Sequence, residues 1–459
     1  MKRYLIENLK NWREKPNRKP LVLSGARQVG KTWLLKEFGR TCFAKTAYVN
    51  FDKSESAKAL FEGDFDLRGI LSGLQALCNM EIKPDDTLII LDEIQLCPAA
   101  LKSLKYWQED ASEYCVASAG SLIGLSMVEG TGYPVGKTNS MTLYPMCFRE
   151  FLAATDDEKL ADLLGTGDIR VVGAFHTTLE RRLKEYLFTG GMPAAVAAFA
   201  RNRSFAAARD EQMEILSDYD RDFAKHAPKV QVPRIRAVWR SLPSQLGKEN
   251  KRFVASEVEN AGGAKMRSRD LKDPFEWLEA AGLADRVWNV AKPNLPLDAY
   301  ADHIFKLFGV DVGLLGAQSR LDAKAVVEGS KIFTEFKGAL TEQFVQQELR
   351  AAAGIRPFYW STADSQAEVD FLAEIGGAII PIEAKAERNL RAKSLKVFRD
   401  RFAPPCAVRS SLSPWLVQDG LVNLPLYAIG RIANEVLPGS TPGAGNGKIP
   451  VETGKDNEI

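Results

Sequence analysis

The chain has 459 residues, 45% of them hydrophobic and 26% charged, so it can bury several cores, and length alone predicts about three domains. Its 61 Lys and Arg face 59 Asp and Glu, and a formal charge of +2 excludes a globally basic nucleic-acid binder; any such binding must be local. The opening MKRYLIENLKNWREK lacks the apolar core of a signal peptide and no later run reaches a membrane span, so the expected location is the cytoplasm, with no membrane partner.

From residue 20 to 151 short β-type runs (LVLS, AYVNF, TLIILD, YCVASAG) alternate with longer helical patterns, which predicts a parallel α/β domain over 1–155. The first run enters Gly25-Ala26-Arg27-Gln28-Val29-Gly30-Lys31-Thr32, a complete G-x-x-x-x-G-K-[ST] between strand and helix. Glycines there let backbone amides turn to a β-phosphate, Lys31 reaches the β- and γ-oxygens, and the Thr32 hydroxyl is placed for magnesium, so ATP with Mg2+ is the expected ligand. TLIILDEIQ supplies the acids at the end of a later strand. Asp92 would hold the magnesium through water, and Glu93 would take a proton from the attacking water, a role that separates hydrolases from kinases. In the next run, Ser118 or Ser121 could orient that water; either could equally be a turn or cap serine.

Residues 156–228 turn helical, with Leu179, Leu183, Tyr186 and Leu187 at helical spacing before a break at Gly190-Gly191-Met192-Pro193. This reads as a helical lid or connector. Over 229–325, short helices and FEWLEAAGLADRVWNV, where a helix stops at Gly282 before a β-type run, suggest a winged helix. Between Lys229 and Lys272 stand eleven basic residues (Lys229, Arg234, Arg236, Arg240, Lys248, Lys251, Arg252, Lys265, Arg267, Arg269, Lys272) against four acids (Glu249, Glu257, Glu259, Asp270), an excess suited either to DNA phosphates or to a solvated face.

From 326 to 436 a helix (ALTEQFVQQELRAAAG) precedes two β-type runs joined by Gly376-Gly377, a further α/β domain. Asp370 in EVDFL and Glu383-Ala384-Lys385 in PIEAK match the D…(D/E)-x-K pattern of the restriction-endonuclease-like fold. Two carboxylates, with Glu342 as a third, would hold a metal while Lys385 positions water; an Asp370–Lys385 ion pair explains the same residues. The downstream charges Arg388, Arg391, Lys393, Lys396, Arg399 and Arg401 favour DNA under either reading. The tail 437–459, rich in Pro, Gly and polar residues, is expected to be disordered. Cys42, Cys78, Cys97, Cys115, Cys147 and Cys406 include no C-x-x-C pair, and His176, His226 and His303 are dispersed, which suits reduced thiols better than zinc or disulfides.

GARQVGKT, LIILDEIQ, ASAGS, YPVGK before LYPMCFREFL, and YLFTGGMP together resemble a prokaryotic ATP-binding family of the AAA superfamily over roughly residues 1–430. Its members carry a winged helix and a C-terminal nuclease-like domain of unassigned role. The resemblance implies a basic sensor of the γ-phosphate, where this chain has Gly136-Lys137 in place of the family's common Gly-Arg; Arg149 in FREF is the alternative. The expected function is an AAA-type ATPase coupling its nucleotide state to a DNA-facing, nuclease-like module. The runner-up is a nucleotide-gated signalling or scaffold protein whose nuclease-like domain is inactive and binds a partner, a second copy or another protein. A metabolic kinase is disfavoured by Asp92-Glu93.

Overall fold

The computed structural model describes residues 1–436 except 64, 122–133, 135, 249–250, 260–261, 327–333, 363, 365 and 388–392, and of 334–335 the backbone alone. The tail 437–459, Arg388, Arg391 and Glu249 lie outside the described residues. Five parallel strands, β1 (Leu21–Ser24), β2 (Lys45–Asn50), β3 (Thr87–Asp92), β4 (Cys115–Ala119) and β5 (Asn139–Thr142), form the first sheet in the order β2-β3-β4-β1-β5. Strand β3 is buried throughout because helices cover both sheet faces: Leu88 and Ile90 pack into one core with Trp12 and Phe38, Ile89 and Leu91 into another with Leu101 and Trp107. That is why TLIILD reads as a continuous apolar run. No described helix is long and apolar enough to cross a membrane.

Helices Glu158–Thr166, Ile169–Gly173, His176–Thr189, Pro193–Asn202 and Phe205–His226 follow, with the expected break at Gly190 to Met192. Helices Val232–Leu246 and Lys272–Ala280 then lead to an antiparallel hairpin, β6 (Ala284–Trp288) and β7 (Phe305–Gly309), entered through Gly282 at φ 70°. In KMRSRDLKDPF the structure has a 3-10 turn, Ser268–Asp270, before helix Lys272–Ala280.

The last sheet is mixed, in the order β12-β13-β11-β10-β9-β8, from β8 (Phe358–Ser361), β9 (Glu368–Ile375), β10 (Ala378–Ala384), β11 (Ala407–Ser411), β12 (Leu416–Gln418) and β13 (Leu421–Pro425). Gly376 and Gly377, at φ 58° and 77°, make the two-residue β9–β10 turn that needs left-handed backbone at both positions.

Helix Thr334–Ala351 joins the parts. Residues 341–349 are all buried although most are polar; the Thr341 hydroxyl bonds back to the Lys337 carbonyl of its own helix at 2.8 Å, and Glu342, Gln343, Gln346, Gln347 and Glu348 are met by other segments. Gln343 brackets Gly309 at 2.8 Å to both its amide and its carbonyl, Gln347 Oε1 accepts from Val312 at 3.0 Å, and Gln347 Nε2 donates to the Tyr186 hydroxyl at 2.8 Å. Glu348 accepts from the Phe148 amide at 2.7 Å. Burial pushes the Glu348 carboxyl from its usual 4.5 up to about 8, with Glu150 adding to the shift. The folded chain therefore holds a proton that the unfolded chain releases above 4.5, so stability falls as pH rises from there to about 8. Glu348→Gln, which keeps the acceptor and cannot ionise, should flatten this slope of up to ~1.4 kcal/mol per pH unit. Thermal midpoints of the two proteins measured from pH 5 to 8 should diverge; parallel curves would show that Glu348 is ionised throughout.

Candidate functional site

The loop after β1 is shaped by space as much as by sequence. A Cβ on Gly25 would lie 2.3 Å from the Leu143 carbonyl oxygen, and Gly30, at φ 95°, is the left-handed residue from which helix Lys31–Cys42 starts. The N-terminal amides of that helix open towards the loop, a natural anion cradle. Lys31 folds over it, its Nζ 3.0 and 2.8 Å from the carbonyls of Gly25 and Ala26. Burial pulls the Lys31 ammonium down to about 8, against the pull of Glu93 and Asp92.

Register builds the acidic side. Strand β2 pairs with β3 so that Asn50 stands beside Asp92, with Tyr48 two residues earlier on the same face. The Tyr48 hydroxyl donates to Asp92 Oδ2 at 2.7 Å, the Asn50 amide reaches it at 3.3 Å, and the Thr32 hydroxyl lies 3.0 Å from the same oxygen. Burial and the Asp92 hydrogen bond together raise the Tyr48 hydroxyl to about 12, keeping it a donor. Thr32 and Asp92 thus present two oxygen ligands at one corner of the phosphate cradle, which fits magnesium carried by a nucleotide. Glu93 follows in left-handed backbone at φ 53°, and Gln95 Nε2 donates to its carboxylate at 2.6 Å. Tyr48, Asn50 and Gln95 had no motif to reveal them.

The back of the loop is clamped by groups that the motif does not contain. Buried Arg3 donates to the Val29 carbonyl at 2.7 Å and the Tyr144 carbonyl at 2.6 Å, and its Nε lies 3.1 Å from Glu150. Helix Phe205–His226 holds the variable residues: Arg27 pairs with Asp222 and reaches His226 at 2.9 Å, Gln28 donates to Asp218 at 2.7 Å, and the Tyr219 hydroxyl donates to the Arg27 carbonyl at 2.9 Å. Helix Phe205–His226 is therefore bonded to Arg27 and Gln28 through its own acids.

Other expected residues have other work. Ser118 is buried and donates to the Leu21 carbonyl at 2.9 Å, which ties β4 to β1 and leaves Ser121, at the end of that strand, as the serine to consider. Lys137 pairs with Glu109 at 2.8 Å on the surface. Arg149 stacks on the Tyr4 ring at 4.3 Å and donates to the Ala161 carbonyl at 3.1 Å, so its guanidinium is engaged with helix Glu158–Thr166.

At the C-terminal sheet, Asp370, Glu383, Lys385 and Glu342 do come together, but around lysines. Lys306, wholly buried on β7, has its Nζ 2.5 Å from Glu368, 3.3 Å from Glu342 and 3.9 Å from Asp370. Lys251 pairs with the other oxygen of Glu342, and Lys385 with Glu383 at 2.6 Å. Asp370 Oδ2 accepts from the Ala384 amide at 2.8 Å. Burial and the neighbouring Glu342 and Glu383 push the Asp370 carboxyl well up; burial would raise Glu342 too, but Lys251 and Lys306 hold it down to about 2. Among the described residues no group of three His, Cys, Asp or Glu side chains could hold a metal ion. Around Asp370, Glu383 and Glu342, the expected metal ligands, the structure places the ammonium groups of Lys306, Lys251 and Lys385. An Asp370–Lys385 ion pair is not what forms, since Lys385 turns to Glu383.

The basic region is also less basic than its count. Arg236 and Arg240 face Asp220 at 2.7 and 3.7 Å, Lys248 pairs with Glu257, Lys272 with Glu276 at 3.9 Å, and Lys251 is taken by Glu342. Lys265, Arg267 and Arg269 remain exposed.

Residues 17–152 match the family model of an AAA domain, residues 180–325 that of a domain of unknown function (DUF8612), and residues 337–429 that of another domain of unknown function (DUF4143). Loop, sheet and family model agree: the first part of the chain is an AAA-type P-loop domain. Among solved structures the chain is similar to the Walker-type ATPase of Pyrococcus abyssi, at 12% identity and TM-score 0.44 over 68% of this chain and 94% of that one. It is similar as well to Cdc6p from Pyrobaculum aerophilum, at 11% identity and TM-score 0.24 over 70% of this chain and 93% of that one. No curated protein matches it.

Proposed function

We propose that this protein binds ATP with magnesium and hydrolyses it, and that the nucleotide state is passed to the C-terminal sheet. The observation that carries the reading is the corner where Thr32 and Asp92 converge, 3.0 Å apart and fixed by Tyr48 and Asn50, with Glu93 at the same strand end. Magnesium, when bound with the nucleotide, supplies charge neutralisation for the β- and γ-phosphates. Thr32 and Asp92 would hold it, the helix N-terminus and Lys31 would bind the phosphates, and Glu93, oriented by Gln95, would accept a proton from water. Helix Phe205–His226, bonded to Arg27 and Gln28, is the element best placed to feel the loop change. Lys31→Ala should abolish tight binding, because the cradle loses the ammonium that the loop holds over it for the β- and γ-oxygens. Titration with a fluorescent ATP analogue checks this; unaltered affinity would remove the phosphate-loop assignment.

A winged helix over 229–325, a restriction-endonuclease-like sheet over 326–436 and DNA as partner belong to the same proposal at its outer edge. Exposed Lys265, Arg267 and Arg269 support DNA contact. The lysines among the C-terminal carboxylates support the second reading, a sheet that binds a partner and does not cut. The ATPase rate with and without duplex or single-stranded DNA separates them: stimulation favours the DNA-coupled machine, indifference the nucleotide-gated scaffold.

A further inference from the structure

Four carboxylates meet over two inner strands of the C-terminal sheet: Glu342 from the long helix, Glu368 and Asp370 from β9, and Glu383 from β10. Two of the ammonium groups among them come from outside that sheet, Lys306 from β7 and Lys251 from the segment before Phe253, whose amide bonds to the Phe305 carbonyl at 2.9 Å. Lys306, itself fully buried, reaches three of the carboxylates and lies 5.0 Å from the centre of the Tyr359 ring. Beside the ammonium groups, Glu383 Oε2 is buried and has no hydrogen-bond partner among the described residues. The hairpin that carries Lys306 is fastened to strand β8: the Val290 amide donates to the Tyr359 carbonyl at 2.8 Å, and Asn289 Oδ1 accepts from the Ser361 amide at 3.0 Å.

We infer that Lys306 is a fixed counter-ion in the place a divalent cation would take, so that the docked β6–β7 hairpin locks the C-terminal sheet in a form that admits no metal and cleaves no phosphodiester. The inference rests on the nuclease-like reading only for what these carboxylates would otherwise do. A divalent cation and the Lys306 ammonium cannot occupy the same place, since each needs the same Glu342 and Asp370 oxygens and the two repel at low dielectric. Access to the carboxylates then requires the hairpin to leave β8, which makes the position of the middle segment the switch.

The test reads metal, not cleavage. Full-length protein stripped of nucleotide and metal is titrated with Mn2+ while free Mn2+ is followed by electron paramagnetic resonance. The parent should show no site that Asp370→Asn removes. Lys306→Met should gain one such site per chain, lost again in the Lys306→Met/Asp370→Asn double variant. If Lys306→Met fails to fold, Lys306→Met/Glu368→Gln removes one charge of each sign and still leaves Glu342, Asp370 and Glu383 to bind the ion. An Asp370-dependent site in the parent, or folded variants that gain none, would overturn the inference. Plasmid nicking is scored separately: Mn2+ gained without nicking keeps the lock and discards the cutting reading alone.

Discussion

Glu93→Gln is expected to leave ATP binding intact and to lower hydrolysis by on the order of 10²- to 10⁴-fold, the usual loss when a positioned base is removed. Binding should survive because the residues that touch phosphate and magnesium in the proposal are Lys31, Thr32 and Asp92, and the Asp92 carboxylate keeps its bonds to Tyr48, Asn50 and Thr32. Glutamine also keeps the side-chain length and leaves an oxygen to accept from Gln95 Nε2, now 2.6 Å from the carboxylate. The left-handed backbone of Glu93 is a cost of about 1–2 kcal/mol for a residue with a Cβ, and Gln bears it equally, so the two proteins should melt together. Single-turnover hydrolysis beside equilibrium nucleotide binding makes the measurement. A variant that turns over at the parent rate would move the base elsewhere.

How much of this was readable in the sequence depends on how far apart the cooperating residues lie. The phosphate loop and the strand ending in Asp92-Glu93 are contiguous, and their strands, turns and helix starts stand where the alternation of apolar runs put them. Tyr48 and Asn50 depend on which strand lies beside β3, information held in pairing and not in local pattern. Arg3 lay in a charged opening segment with nothing to mark one arginine as buried. The basic count over 229–272 misled for a related reason. A window sees its own acids and misses Asp220 and Glu342 outside it, which take Arg236, Arg240 and Lys251. Lys306 was invisible altogether: in FKLFG it reads as the polar position of a half-exposed strand, and only its carboxylate partners on the long helix and β9 make burial tolerable. Asp370, Glu383, Lys385 and Glu342 were brought together as the pattern suggested, but the pattern carries no word of what fills the space between them.

Gly191→Ala should be strongly disruptive, costing about 3 kcal/mol or more. The motif GGMP reads as a helix break, yet its geometry is a crossing of three chains. The Met146 amide donates to the Gly191 carbonyl at 2.7 Å, the Gly191 amide donates to buried Asp311 at 2.6 Å, and the Met146 carbonyl accepts from the Tyr186 hydroxyl at 2.6 Å. A Cβ on Gly191 would stand 2.1 Å from that same carbonyl oxygen and 2.8 Å from the Met146 nitrogen. Backbone atoms cannot swing aside as a side-chain tip can, so the two segments must part, and Asp311 loses the Gly191 amide and Tyr186 the Met146 carbonyl. Pro193, two residues on, lies 3.7 Å from where a Gly30 side chain would begin, so the displaced segment backs directly onto the phosphate loop. The thermal midpoint and ATP affinity should fall together. Gly173→Ala is the control, since a methyl at the end of helix Ile169–Gly173 meets nothing within 4 Å and should be neutral or stabilising by about 0.5–1 kcal/mol. A Gly191→Ala protein that melts with its parent would mean that the crossing yields more easily than its backbone contacts allow, and the rigid back wall of the loop would have to be sought in Arg3 and Glu150 instead.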